Sequence, residues 1–310
     1  MEWGYFLILL SSIFMCFMTA SRKGYQQKVD ANLKSTLIFM CVSSLFVCII
    51  GVVYSCFTNF AIIKSADSFV VGLGVLFAFI LTVNTCLCIF GAKYGSLAMI
   101  TTFATLGTLV ISTIFGLITD PIKNKLTTFN IIGLILAVVI IALSFISSID
   151  KTSQANVKNN KIFIFICLAI FIFNGSALSV YSVFTSNRAG YGGFNFIFLY
   201  LFFCVVLCAL VLLALYIVSK NKSENFHLKT YLTGKPLACI LFYGIVFFCS
   251  EFCALTTTSI LPIVIQAPLG FAMNVVIVAL ADYLIYKQKL TKVQLLQIIL
   301  AIVSGLCFAL

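Results

Sequence analysis

The chain has 310 residues, 63% of them hydrophobic and only 9% charged, with a mean hydropathy of +1.20. Soluble domains carry about 25% charged residues, so this composition excludes an ordinary soluble domain and points to a membrane protein. The formal net charge is +11, but the basic residues lie between apolar runs and form no basic face, which argues against nucleic acid as a partner and for loop charges that set orientation.

A membrane-crossing helix needs about 20 apolar residues. Reading between charges and turn residues predicts ten spans, at 3–21, 34–57, 68–92, 95–119, 127–149, 162–186, 193–219, 236–256, 259–285 and 291–310. The first run, Trp3 to Ser21, is preceded by Glu2 and followed by Arg22 and Lys23, the wrong polarity for a cleaved signal, and is read as a retained helix. Lys93-Tyr94-Gly95 separates the third span from the fourth. Thr256 to Thr258 and Pro262 separate the eighth from the ninth, because 252–281 is 30 charge-free residues and exceeds one crossing. These segments are far longer than barrel strands of about 10 residues, so the fold class expected is an all-α polytopic membrane protein.

The loops between these spans are unevenly charged. Odd-numbered loops hold 15 Lys and Arg, including Arg22, Lys93, Lys158, Lys222 and Lys287; even-numbered loops hold 4, namely Lys64, Lys123, Lys125 and Arg188. The positive-inside rule then puts the odd loops in the cytoplasm and both termini outside.

The 13 cysteines sit mostly inside apolar runs, with no Cys-x-x-Cys spacing and a single histidine, His227. They read as small apolar packing residues, and neither a disulfide framework nor a metal site nor any other cofactor is expected.

At an offset of 163 the chain matches itself. Ser96 meets Ser259, Ile100 meets Ile263, Ala104 meets Ala267, and Leu106-Gly107 meets Leu269-Gly270. One residue further on, Leu126-Thr127 meets Leu290-Thr291 and Ile135-Leu136-Ala137 meets Ile299-Leu300-Ala301. Five spans per half is an odd number, so the second half enters the membrane from the opposite side. Inverted repeats of this kind are a hallmark of secondary transporters.

The segments "KYGSLAMITTFATLGTLVISTIFGLITDPI…LTTFNIIGLIL" (93–136) and "TTSILPIVIQAPLGFAMNVVIVALADYLIYKQKLTKVQLLQIILAIVSGL" (257–306) carry a family resemblance. With ten spans in a five-plus-five arrangement, the chain resembles the drug/metabolite transporter superfamily, and within it the EamA-like permeases. In that family the fourth and ninth spans often close with a glutamate, followed by Leu-Thr or Ile-Thr and a helix opening with Gln and Gly. Here Asp120 and Gln288 stand near the glutamate positions, and Gln294 and Gly133 match in one half each. The resemblance implies two repeats, 1–157 and 158–310, around a central cavity. It also implies carrier-mediated movement of a small solute, in a multi-pass protein of the cell membrane. A homodimer is compatible with it, although nothing in the sequence argues for one.

Polar groups inside spans need partners and face the bundle interior or a cavity. The candidates for substrate binding or coupling are Asn84, Asn174, Tyr181, Glu251, Gln266 and Asn274, with Tyr200 as a further cavity residue. The three asparagines are equally read as interhelical glue, worth about 0.6 kcal/mol each. Gln266, between Pro262 and Pro268, suggests either a locally broken helix or plain packing kinks. Trp3, Tyr5, Tyr283 and Tyr286 read as interface anchors, and Asp282 as an interfacial charge.

Glu251 stands alone in "FFCSEFCALTTTS" (247–259). A carboxylate deep in a span costs about 2.5–3.5 kcal/mol on insertion scales, so its presence asks for a reason. Desolvation favours its protonated form, which lets it exchange a proton as access alternates. The bland reading is a glutamate near the outer helix end that reaches interfacial water. Against the carrier stand two other classes. An integral membrane enzyme would need clustered His, Asp or Ser, and the chain has one loop histidine, so the chain is read as not an enzyme. A channel would need charged rings or a repeated filter sequence, and neither is present.

Overall fold

The computed structural model describes residues 2–26, 28–29, 33–57, 66–94, 97–120, 122, 126–152, 160–220, 232–284 and 292–309. These residues are almost wholly helical. The helices are α1 (Glu2–Gln26), α2 (Leu33–Phe57), α3 (Ser68–Tyr94), α4 (Leu97–Thr119), α5 (Thr128–Thr152), α6 (Asn160–Arg188), α7 (Gly193–Lys220), α8 (Lys235–Ile260), α9 (Ile263–Leu284) and α10 (Lys292–Ala309). A single 3₁₀ turn, Ala189–Tyr191, joins α6 to α7.

Six of the helices contain stretches long and apolar enough to cross a membrane: Glu2–Arg22, Leu33–Phe57, Ser68–Cys88, Ile162–Asn187, Gly193–Ile217 and Lys235–Ile260. Shorter apolar stretches run over Phe103–Thr119, Thr128–Ile140 and Ile263–Asn274. Large apolar side chains cover the outside as well: Phe57, Phe165, Ile118 and Phe202 are exposed, which a bilayer tolerates and water does not. The chain is a membrane-embedded helical protein.

Local chemistry sets the helix ends. Asp67 Oδ1 accepts from the Val70 amide at 2.8 Å and starts α3; Thr127 Oγ1 accepts from the Asn130 amide at 3.2 Å and starts α5. Gly234, at φ 61°, turns the chain ahead of α8, whose first turn holds Pro236. Leu261 is extended, and its amide closes α8 onto the Thr257 carbonyl at 2.8 Å. Pro262 then opens α9, its carbonyl accepting from the Ile265 and Gln266 amides, both at 3.0 Å. Pro268 lies inside α9, which continues through it. The helix is therefore not broken at Gln266, and the packing-kink alternative describes it better.

Packing between helices follows a pattern. α1 packs on α8 and α9, and α6 packs on α3 and α4. α2 packs on α8 and α7 on α3; α4 packs on α5 and α9 on α10. α2 with α7, α5 with α10 and α4 with α9 complete the set. Exchanging every helix with the one five places later maps this set onto itself, although the slighter contacts of α6 with α8 and α9 and of α5 with α9 have no counterpart of similar extent. The directions agree too. Ser11 meets Ser250 and Ser21 meets Cys239, so α1 and α8 are antiparallel. Asn84 meets Asn174 and Phe77 meets Tyr181, so α3 and α6 are antiparallel as well.

The tightest crossing is α4 on α6. A Cβ on Gly107 would overlap the Phe171 carbonyl, and a Cβ on Gly175 would overlap the Gly107 carbonyl. Small residues at this point let the two backbones touch, and Ser112 Oγ donates to the Gly175 carbonyl at 3.1 Å. The large core cluster is aromatic and centres on Phe77, Tyr181, Phe184, Phe196, Tyr200, Tyr243 and Phe247.

One expectation shifts. Arg22, read as a loop charge, belongs to α1, because nothing between Ser21 and Gln26 stops the helix. Lys23 lies in the same helix, but Arg22 alone is tied to Tyr243 of α8, so it is no longer a simple orientation charge. The bias of basic residues loses one member on its larger side and keeps its sign. Trp3 is exposed at the start of α1, as an interface anchor requires. Lys64, Lys123, Lys125, Lys158, Lys222, His227, Tyr286, Lys287 and Gln288 lie outside the described residues, as do the side chains of Asp282, Tyr283 and Gln294.

Candidate functional site

The sequence candidates fall into two neighbouring groups. The first surrounds Glu251 in α8. Its Oε2 accepts hydrogen bonds from the Tyr181 hydroxyl of α6 and, at 3.4 Å, from the Tyr200 hydroxyl of α7. The two phenol oxygens are 3.2 Å apart. Phe77 of α3 stacks on Tyr181 at 4.6 Å and tilts against Tyr200 at 4.5 Å. Tyr181 and Tyr200 are buried, at 3% and 0% exposure. Side chains of α6 and α7 thus meet the α8 carboxyl group, with Phe77 of α3 against both phenol rings, and the half-buried Glu251 turns its Oε2 toward the bundle. Hydrogen bonds to a carboxylate in a low-dielectric setting are the strong kind, which offsets part of the desolvation.

On the same face of α8, Tyr243 and Phe247 precede Glu251 at steps of four residues. Their rings stack at 5.8 Å. Arg22 Nη2 donates to the Tyr243 hydroxyl at 2.6 Å, and its guanidinium lies 5.0 Å from the ring centroid. At 1.5 Å per residue, Tyr243 and Glu251 stand about 12 Å apart along the helix. A cation and a carboxyl group therefore mark two levels of one aromatic core. Sequence reasoning missed Arg22 and Tyr243. The available signal was helical period: Met18, Ser21 and Tyr25 share a buried face with Arg22 if α1 is extended past Ser21.

The second group lines a cavity of about 160 Å³ between α1, α4, α6, α8 and α9, with Asn174, Gln266 and Asn274 in its wall. Asn84 is not in the wall. Its Nδ2 donates to Asn174 Oδ1 at 3.1 Å, and Asn174 Nδ2 donates to the Ala104 carbonyl at 2.8 Å and to Thr108 Oγ1 at 2.7 Å. Asn84 is therefore the interhelical partner, and Asn174 the cavity residue that it positions. Gln266 Nε2 bridges α9 to the Ala254 carbonyl of α8 at 3.0 Å. Asn274 Nδ2 points at the Met15 sulfur of α1 at 3.6 Å. Leu178 and Ala254 line the cavity on one side and pack against the aromatic core on the other, so they partition it from Glu251.

A second cavity, about 250 Å³, lies further along the same helices. Thr119 and Asp120 at the end of α4, Ser186 and Asn187 near the end of α6, Thr258 of α8 and Ile263 at the start of α9 surround it. It is a polar mouth at the bundle end opposite the helix ends that lead into 153–159, 221–231 and 285–291, where lysines concentrate. Among the described residues no cluster of His, Cys, Asp and Glu could hold a metal ion.

No protein-family model matches the chain, and no curated protein matches it. Solved structures do. One of them superposes with a TM-score of 0.68 over 98% of this chain and 95% of its own, at 12% identity, and its description names no activity. At that identity the likeness is one of fold, extending over nearly the whole chain.

Proposed function

We propose that the chain is a secondary carrier of a small solute, built as two inverted five-helix repeats, 1–157 and 158–310, that spans the cell membrane ten times and works by alternating access. The observation that carries this reading is the position of the 160 Å³ cavity, walled by α1 and α4 from one half and by α6, α8 and α9 from the other. Sites at the interface between repeats, near the middle of the bundle, are where carriers bind. The self-mapping helix contacts support the repeat, and the repeat supplies two similar half-structures whose exchange opens the cavity to either side.

The resemblance of 93–136 and 257–306 to EamA-like permeases of the drug/metabolite transporter superfamily supports the same reading. On this reading Asn174, Gln266 and Asn274 bind solute, Glu251 with Tyr181 and Tyr200 couples transport to proton movement, and Asn84 positions Asn174. The partners are a small molecule and the lipid bilayer.

The test is solute uptake into proteoliposomes holding the purified chain, with pooled amino acids, sugars and bases. Saturable uptake that accelerates when the same solute is loaded inside is the expected result. Flux that neither saturates nor responds to internal solute indicates a channel, and no flux of any solute removes the carrier reading.

A further inference from the structure

Most of the polar wall of the 160 Å³ cavity has its donors already engaged. Gln266 Nε2 is bound to the Ala254 carbonyl, and Asn174 Nδ2 to the Ala104 carbonyl and Thr108 Oγ1. Thr108 Oγ1 donates to the Ala104 carbonyl at 3.1 Å, Thr257 Oγ1 to the Cys253 carbonyl at 2.7 Å, and Ser11 pairs with Ser250. Left over are the Ser12 hydroxyl, which can donate or accept, and two acceptors. Gln266 Oε1 and Asn274 Oδ1 are both buried without a hydrogen-bond partner, and Gln266 is only 6% exposed. A buried acceptor without a partner is unfavourable, and such groups in native proteins call for an explanation. No charged side chain lines the cavity, so neither an anion nor a cation would find a counter-charge there. The volume equals that of about five liquid waters, which is room for a small organic molecule.

We infer that this cavity binds a small uncharged molecule rich in hydrogen-bond donors, such as a short polyol or a primary amide, whose O–H or N–H groups donate to Gln266 Oε1 and Asn274 Oδ1. This rests on the carrier reading only for its meaning as a substrate site; binding itself needs no transport. The ligand brings donors because the two buried wall atoms without a partner, Gln266 Oε1 and Asn274 Oδ1, are acceptors, and it is neutral because the wall is neutral.

The experiment is equilibrium binding to the purified full chain in detergent, with radiolabelled erythritol, propionamide, ethanolamine (an ammonium at neutral pH) and lactate as probes. Erythritol or propionamide binds saturably, and ethanolamine and lactate do not. Gln266→Leu and Asn274→Leu each weaken neutral binding roughly tenfold, the effect of losing one hydrogen bond to the ligand. Gln266→Glu keeps an acceptor at the site and adds charge, and so moves the preference to ethanolamine. Asn274→Leu, whose side chain is only half-buried, keeps the test intact where a Gln266 variant fails to fold. Saturable binding of ethanolamine or lactate by the wild type overturns the inference. So does an absence of saturable neutral binding, or neutral binding untouched by Asn274→Leu. Neutral binding without flux in proteoliposomes removes the carrier reading alone; saturable flux of an ion without neutral binding removes this inference alone.

Discussion

Arg22 Nη2 lies 2.6 Å from the Tyr243 hydroxyl, inside the bundle and about 12 Å along α8 from Glu251. Arg22 is half-buried, and its guanidinium meets one phenol hydroxyl and one aromatic face. Its Nε has no hydrogen-bond partner. The tie joins the first helix of the chain to the eighth, so it fastens the two halves together at the level where Gly24 of α1 and Cys239 of α8 approach.

Removing the acceptor while keeping the ring isolates this tie. Tyr243→Phe leaves the guanidinium stacked but without its hydroxyl, and should destabilise the fold by about 1–3 kcal/mol. The shift is read as a lower midpoint of detergent-induced or thermal unfolding. An unchanged midpoint means that water or lipid already satisfies Arg22.

For Glu251, shape and charge separate cleanly. Glu251→Gln still accepts a hydrogen bond from Tyr181 or Tyr200, so folding and yield should match the wild type. Glu251→Leu leaves both phenols without their acceptor and should lower stability by about 1–3 kcal/mol. On the carrier reading Glu251→Gln abolishes accumulation against a gradient and leaves solute exchange in place. Concentrative uptake at the wild-type rate in that variant makes Glu251 a structural residue.

The α4–α6 crossing predicts a steep contrast between two glycines. Gly107→Ala puts a methyl group against the Phe171 backbone, which cannot give way as a side chain does, and should cost about 1–3 kcal/mol or more. Gly72→Ala meets nothing within 4 Å and should fall within about 0.5 kcal/mol of the wild type. Equal unfolding midpoints for the two variants would contradict the close crossing.

Orientation is testable with single cysteines in a background lacking the native ones. Arg188→Cys and Lys64→Cys should react with an impermeant maleimide added from outside. Lys158→Cys and Lys222→Cys should react only after the membrane is opened. The reverse pattern would place the lysine-rich end outside, against the basic-residue bias.

Much of the architecture is legible in the chain itself because the bilayer is a demanding solvent. A backbone that cannot reach water must be helical where it crosses, and a crossing must be about 20 apolar residues long, so apolar length and loop charge alone predict the helices to within a few residues. The 3–21 span shows the limit. Its helix runs on to Gln26, since Arg22 and Lys23 end an apolar count without ending a helix. The burden of Glu251 was legible as well, because an acidic group among apolar neighbours is costly wherever it sits.

What the carboxyl group faces was not legible. Tyr181 and Tyr200 are 70 and 51 residues away from Glu251 in sequence, and only the convergence of α6, α7 and α8 puts their hydroxyls on one oxygen. Composition ranked Asn84 with Asn174; the tertiary structure made the first a prop and the second part of a cavity wall. It likewise turned Arg22 from a surface charge into a core tie. Periodicity says which face of a helix is turned inward, and it is silent on which residue of another helix waits there. That choice rests on the register and crossing of helix pairs, fixed at points such as Gly107 against Phe171 by close packing between residues far apart in the chain.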